Sequence, residues 1–240
     1  QSARAYPLKM LICAPSNVAV DNLLVRLASL FESKEEEAQG ESQPSLYDFS
    51  NLKMVRFGHP SRIHPSLLRY SLESRIANHE DQDSLRSLRR TIQKTSRELQ
   101  KCVMKAKSGK RKKGGESLFS ADYNPSVLRQ ELRALRKTLK REEERVLRQV
   151  VSESHIVFAT TIGAGSFHLR STDFSVCFVD EAGQAIEMET WIPMLKAREQ
   201  VVLAGDHLQL PPTIKNKECE RELSNTLFER IMKMETIIIL

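Results

Sequence analysis

Six short apolar runs constrain this 240-residue chain more than any other feature. They are "KMLICA" (9–14), "LKMVRF" (52–57), "HIVFAT" (155–160), "SVCFVD" (175–180), "QVVLAG" (200–205) and "TIIIL" (236–240). All are continuous rather than alternating, as expected of strands covered on both faces. Helix-like stretches separate several of them. Residues 17–31 place Val20, Leu23, Leu24 and Leu27 on one side, and residues 225–234 are amphipathic too. Strands that alternate with helices predict an α/β fold with a parallel, doubly wound sheet.

Residues 71–152 break that rhythm. Leu85, Leu88, Ile92, Thr95, Leu99, Cys102 and Ala106 step by three and four, and so do Leu128, Leu132, Leu135, Leu139, Glu142, Val146 and Gln149. Two such helices predict an antiparallel hairpin with a thin seam, because each stripe has polar members. Their link, "KSGKRKKGGESLFSADYNP", has paired glycines and a basic run, and is expected to be mobile. Charge concentrates here: residues 84–152 hold 20 Lys/Arg against 7 Asp/Glu, whereas the whole chain is only +6. This lopsidedness points to a polyanionic partner or, alternatively, to a solvated basic face. The earlier "ESKEEEAQGESQPS" (32–45) is expected to be an acidic surface loop.

No run of 18 apolar residues exists, so no membrane partner is expected. Cys13, Cys102, Cys177 and Cys219 lie far apart without CxxC spacing, which fits reduced thiols of a nuclear or cytoplasmic protein.

Four segments carry chemistry. In "FVDEAGQA", a strand ends in Asp180, whose carboxylate suits a hard cation such as Mg²⁺, and Glu181 can orient or deprotonate a water. In "VVLAGDHLQLPP", another run expected to be buried, Gly205 and Asp206 end the strand and Gln209 can touch both a phosphate oxygen and water. In "LICAPSNVAVDNLL", Pro15 leads to Ser16 or Asn17 as N-cap, a place that also suits a nucleic-acid phosphate. In "FATTIGAGS", Thr160 and Thr161 end a strand before Gly163 and Gly165. Each segment alone also fits a plain strand-to-loop turn or a helix cap.

Taken together and in order, "CAPSNVAVDNLL", "ATTIGAGS", "VDEAGQA" and "LAGDHLQLPP" resemble motifs Ia, Ic, II and III of superfamily 1 helicases. The up-frameshift-like branch is the nearest, in particular its immunoglobulin mu-binding protein 2 and polymerase-alpha-associated helicase group. "MVRFGHPSRI" (54–63) and "WIPMLKARE" (191–199) fit that group as well. The resemblance implies a RecA-like (P-loop NTPase) sheet with the hairpin as an inserted accessory subdomain. The first RecA-like domain would comprise residues 1–70 and 153–240, and the insertion residues 71–152. It implies ATP and Mg²⁺ as cofactors, with Asp180 on the metal and Glu181 activating the attacking water. Gln209, with Gly205 and Asp206, would monitor the γ-phosphate. Pro15, Ser16, Asn17, Thr160 and Thr161 would touch single-stranded DNA or RNA. The tip residues Lys110, Arg111, Lys112 and Lys113 would contact phosphate or serve as a nuclear-import address.

The sequence departs from the family in one large respect: no GxxxxGK[ST] occurs in these residues. The chain therefore reads as beginning just after the phosphate loop, with an incomplete sheet and without the second RecA-like domain that activity requires. The expectation is the central part of an ATP-dependent 5′→3′ helicase, inactive as these 240 residues alone. A non-catalytic nucleic-acid-binding remnant and a coiled-coil interaction module are the alternatives.

Overall fold

The computed structural model describes residues 8–37, 52–107 and 125–234. The described residues up to 75 and from 149 form one compact unit, and those between 76 and 148 form another.

The first unit is built on a five-stranded, all-parallel sheet: β1 (Met10–Ala14), β2 (Met54–Arg56), β3 (Ile156–Thr160), β4 (Phe174–Val179) and β5 (Ala197–Leu203), in the order β2-β3-β1-β4-β5. This is the expected α/β sheet. The three strands with neighbours on both sides are the most apolar, and Leu11, Val157 and Cys177 are wholly buried. Helix α1 (Asn17–Glu37) packs Val20, Leu24 and Ala28 on one face, against Ile12, Ile156 and Phe158. Burying each of the larger side chains among them is worth roughly 1.5–3 kcal/mol, which holds α1 on the sheet.

Two expectations are corrected here. The acidic stretch from Glu32 is not wholly a loop: α1 continues to Glu37, as Lys and Glu are good helix formers. The run 201–203 is not a buried strand either. Val201, Val202 and Leu203 are half-exposed, and among the described residues β5 is paired only on its β4 side. The strand also begins earlier than expected, at Ala197, in a polar stretch an edge position tolerates.

The unit also contains α5 (Glu187–Met194), between β4 and β5 in the chain, and α6 (Glu220–Leu223) and α7 (Leu227–Met232) after β5. Thr226 caps α7 by accepting from Glu229 N–H at 3.1 Å. Arg230 donates to Glu187 of α5 at 2.6 Å. A short helix α2 (Leu72–Ala77) leaves the sheet after Ser71, which bridges to Arg56. Residues 71–75 belong to the first unit.

The second unit contains α3 (Gln82–Lys107) and most of α4 (Pro125–Glu153). Ion pairs join the start of α3 to the end of α4: Asp81 with Arg145 at 3.2 Å and Glu143 with Arg89 at 2.7 Å. The two helices are therefore antiparallel. Leu85, Thr95, Cys102, Leu128, Leu132 and Val146 are buried, and the other apolar seam positions from Leu88 to Leu99 and from Leu135 to Leu139 are half-buried. Every Lys and Arg from Arg86 to Lys101 and from Arg129 to Arg148 is exposed. The seam is one side chain wide and the rest of each helix is a solvated, mainly basic surface. The expected basic tip at 110–113, the rest of the acidic stretch from residue 38 and the expected strand at 236–240 lie outside the described residues. Among those described, no helix is long and apolar enough to cross a membrane.

Candidate functional site

The sheet brings four strand tips level. Ala14 pairs with Thr160, Cys13 with Val179, and Val179 with Leu203. Just beyond these pairs the backbone is tied across. Thr161 N–H donates to Ala14 O at 3.0 Å, and Asp180 N–H donates to Cys13 O at 2.8 Å. Ala204 N–H donates to Val179 O and Ala182 N–H to Ala204 O, both at 2.8 Å. The segments expected to carry chemistry thus leave one carboxyl edge, where a parallel sheet gathers its ligands.

Asp180 and Glu181 are half-buried at this edge. Glu181 is left-handed, with φ 53° and ψ 37°, and is the only non-glycine residue with positive φ among those described. Such a conformation costs on the order of 1–3 kcal/mol and persists only where the surroundings hold it. What holds it is visible. Gln184 N–H donates to Glu181 O at 2.9 Å, and Gln184 Nε2 donates to Glu181 Oε2 at 2.8 Å.

The turn after Asp180 then packs on the turn after β5. A Cβ at Gly205 would stand 3.0 Å from the backbone nitrogens of Ala182 and Gly183. Both partners are backbone, so only glycine lets the two loops approach this closely. Past Gly205, Asp206 folds its loop around itself. Its Oδ1 accepts from Leu208 N–H at 2.9 Å, and its Oδ2 accepts from Gln209 Nε2 at 3.2 Å. The Leu208 amide first, and the Gln209 side chain second, hold the Asp206 carboxyl below the usual carboxylate range. Gln209 is exposed, and its link to the edge runs through Asp206. Asp180, Glu181, Gly205, Asp206 and Gln209 are therefore gathered by two touching loops.

Asp180 offers a carboxylate of the kind that a hard cation accepts. No cluster of three or more His, Cys, Asp or Glu side chains that could hold a metal exists among the described residues. Mg²⁺ is ordinarily held by one or two carboxylates, water and the phosphates themselves, and Asp180 is a half-buried carboxylate at the strand tips.

The expected strand-contacting residues divide. Ser16 caps α1, its Oγ accepting from Ala19 N–H at 3.1 Å. Ser16 is exposed, and Pro15 and Asn17 are half-buried. Thr160 is half-buried and its Oγ1 accepts from Gly163 N–H at 3.0 Å. Thr161 is fully buried, and its hydroxyl is enclosed without a hydrogen-bond partner. Residues 110–113 lie outside the described residues.

Gln184 escaped the sequence reading. Its signal is its place three residues after Glu181, across a single tight turn.

A family model described as "AAA domain" matches residues 1–217. The chain is 31% identical over 227 residues to "DNA polymerase alpha-associated DNA helicase A" of Schizosaccharomyces pombe, covering 95% of this chain and 28% of that protein. It is 35% identical over 229 residues to "DNA-binding protein SMUBP-2" of Rattus norvegicus, covering 93% of this chain and 19% of that protein. An uncharacterized ATP-dependent helicase of Methanocaldococcus jannaschii is 29% identical over 242 residues, with 94% and 33% covered. The chain thus spans between about a fifth and a third of the length of these relatives.

Proposed function

Since the chain belongs to the up-frameshift-like branch of the superfamily 1 helicases, an AAA-domain family, we propose that it is the central part of an ATP-dependent 5′→3′ helicase motor acting on single-stranded DNA or RNA, in the nucleus or the cytoplasm. The observation that carries this reading is the contact between the 180–184 and 204–209 loops. It sets Asp180, Glu181 and Asp206, with Gln209 bonded to it, at one sheet edge.

Bound Mg²⁺ would neutralise charge on the outer phosphates of ATP, and Asp180 would hold it. Glu181 would orient a water and take its proton as the water oxygen bonds to the terminal phosphorus and the bond to the β-phosphate oxygen breaks, so that ADP leaves. Its left-handed backbone and the Gln184 hydrogen bond keep the carboxylate in one orientation before any ligand arrives. Gln209 donates to the phosphate and relays its presence through Asp206 to the tip of β5. Pro15, Ser16, Asn17 and Thr160 touch the strand backbone. The basic surface of α3 and α4 adds phosphate attraction, which supports strand binding without base preference. With no GxxxxGK[ST] in these residues, the 240-residue chain by itself does not turn over ATP.

The test is a chimaera in which these residues replace the matching segment of the Schizosaccharomyces pombe relative. Strand-stimulated ATP hydrolysis that disappears with Glu181→Gln supports the reading. A folded chimaera that binds nucleotide and strand yet hydrolyses nothing supports instead a non-catalytic strand-binding segment, a reading favoured by the mainly basic exposed surface of α3 and α4.

A further inference from the structure

Arg56 ends β2 and is the largest fully buried side chain among the described residues. Its guanidinium is occupied on three sides. Nε donates to Asp21 Oδ1 at 2.9 Å, Nη1 donates to the Phe57 carbonyl, and Nη2 donates to Asn17 Oδ1 at 3.0 Å. Asp21, itself only 7% exposed, uses its second oxygen to accept from His64 N–H at 2.9 Å. The backbone makes room for this arrangement, because a Cβ at Gly58 would stand 3.1 Å from Nη1. Burying a charged pair returns little stability compared with an apolar pair of the same size. Stability alone therefore does not account for an arginine here.

The third arm accounts for it. A guanidinium has donors only, so the Asn17 atom that faces Nη2 must be the amide oxygen. The Asn17 nitrogen is then turned away from Arg56, and the residue is half-buried rather than enclosed. We propose that Arg56, braced by Asp21, is a positioning residue that locks the Asn17 side chain with its two N–H donors presented to a phosphate of a bound single strand. This rests on the strand-binding reading above. Arginine suits the task better than lysine, because its rigid fork reaches Asp21 and Asn17 together.

The experiment measures binding of fluorescein-labelled oligo-dT and oligo-U by anisotropy, with a thermal melt for each protein. The variants are Asn17→Ala, Arg56→Lys, the double variant and Asn17→Asp. Asn17→Ala is expected to weaken binding about tenfold, the loss of one hydrogen bond to a charged group. Arg56→Lys is expected to weaken it by a similar factor, and the double variant by no more than about twofold beyond Asn17→Ala, since the two residues act as one unit. Full multiplication of the two single effects, or unaltered binding by either single variant, overturns the inference. Should Arg56→Lys fail to fold, Asn17→Asp decides. It keeps an oxygen against Arg56 but presents an acceptor outward, so a loss beyond about tenfold at an unchanged melting temperature supports the inference. Wild-type affinity for Asn17→Asp overturns it. An unaltered chain that binds neither oligonucleotide overturns the strand-binding reading and this inference with it. Binding that is indifferent to Asn17 and Arg56 overturns the inference alone.

Discussion

Gly183 and Asp206 meet through backbone alone: a Cβ at position 183 would stand 2.8 Å from the Asp206 carbonyl oxygen. Neither partner is a flexible side-chain end, so Gly183→Ala must push the two loops apart. A loss of about 1–3 kcal/mol is expected from such overpacking. Amide signals of Asp206 to Gln209 should shift together with those of Glu181 and Ala182. Unshifted 206–209 signals in the variant would show that the loops do not bear on one another.

Thr161 offers a test with the opposite sign. Its fully buried hydroxyl has no partner, and valine has the same shape without the hydroxyl. Thr161→Val is expected to raise stability by about 1 kcal/mol, since an unpaired buried polar group is a net cost. Single-strand affinity should not change, whereas Thr160→Val, at the half-buried neighbour, should weaken binding. A strand affinity that drops with Thr161→Val would restore that residue to a strand-binding role.

Asp206 sets a pH dependence. Its carboxyl is held below the usual range, first by the Leu208 amide and then by Gln209. A depressed folded-state pKa means that the contribution is complete above the ordinary carboxylate value. It is lost as pH falls through the lower folded value. Gln209→Ala removes one of the two donors, so the loss should begin at a higher pH. Carbon-13 carboxyl shifts followed against pH check this, and an Asp206 titration indifferent to Gln209→Ala would refute it.

The basic face of α3 and α4 gives a salt prediction. Replacing Arg133, Arg136, Lys137 and Lys140, all exposed, by glutamine should lower strand affinity at low salt. It should also flatten the slope of log K against log salt by about 0.7 for each phosphate that is no longer neutralised. Binding isotherms at several salt concentrations measure this directly. An unchanged slope would make the hairpin a merely solvated surface.

How much of this was legible in the sequence depended on whether a residue's role was local. Continuous apolar runs marked the strands because both faces of β1 and β3 are covered. The start of β5 at Ala197 was not legible, because an edge strand with exposed Arg198, Glu199 and Gln200 has no such run. Asp180, Glu181 and Asp206 could be nominated from strand-ending carboxylates. That their turns touch could not, because the contact is made by Gly183 and Gly205 across the sheet edge. Adjacent threonines look alike in sequence, yet Thr161 is fully buried and Thr160 only half-buried. Arg56 reads as an interruption of an apolar run until Asp21 and Asn17 are seen around it.

The most direct measurement is paramagnetic broadening of amide signals as Mn²⁺–ATP is titrated into the chain. Broadening centred on Asp180, Glu181, Ala182, Asp206 and Gln209, and abolished by Asp180→Asn, is the expected result. Broadening that survives Asp180→Asn, or that gathers on α3 and α4 while the strand tips stay sharp, would contradict a nucleotide site at this sheet edge.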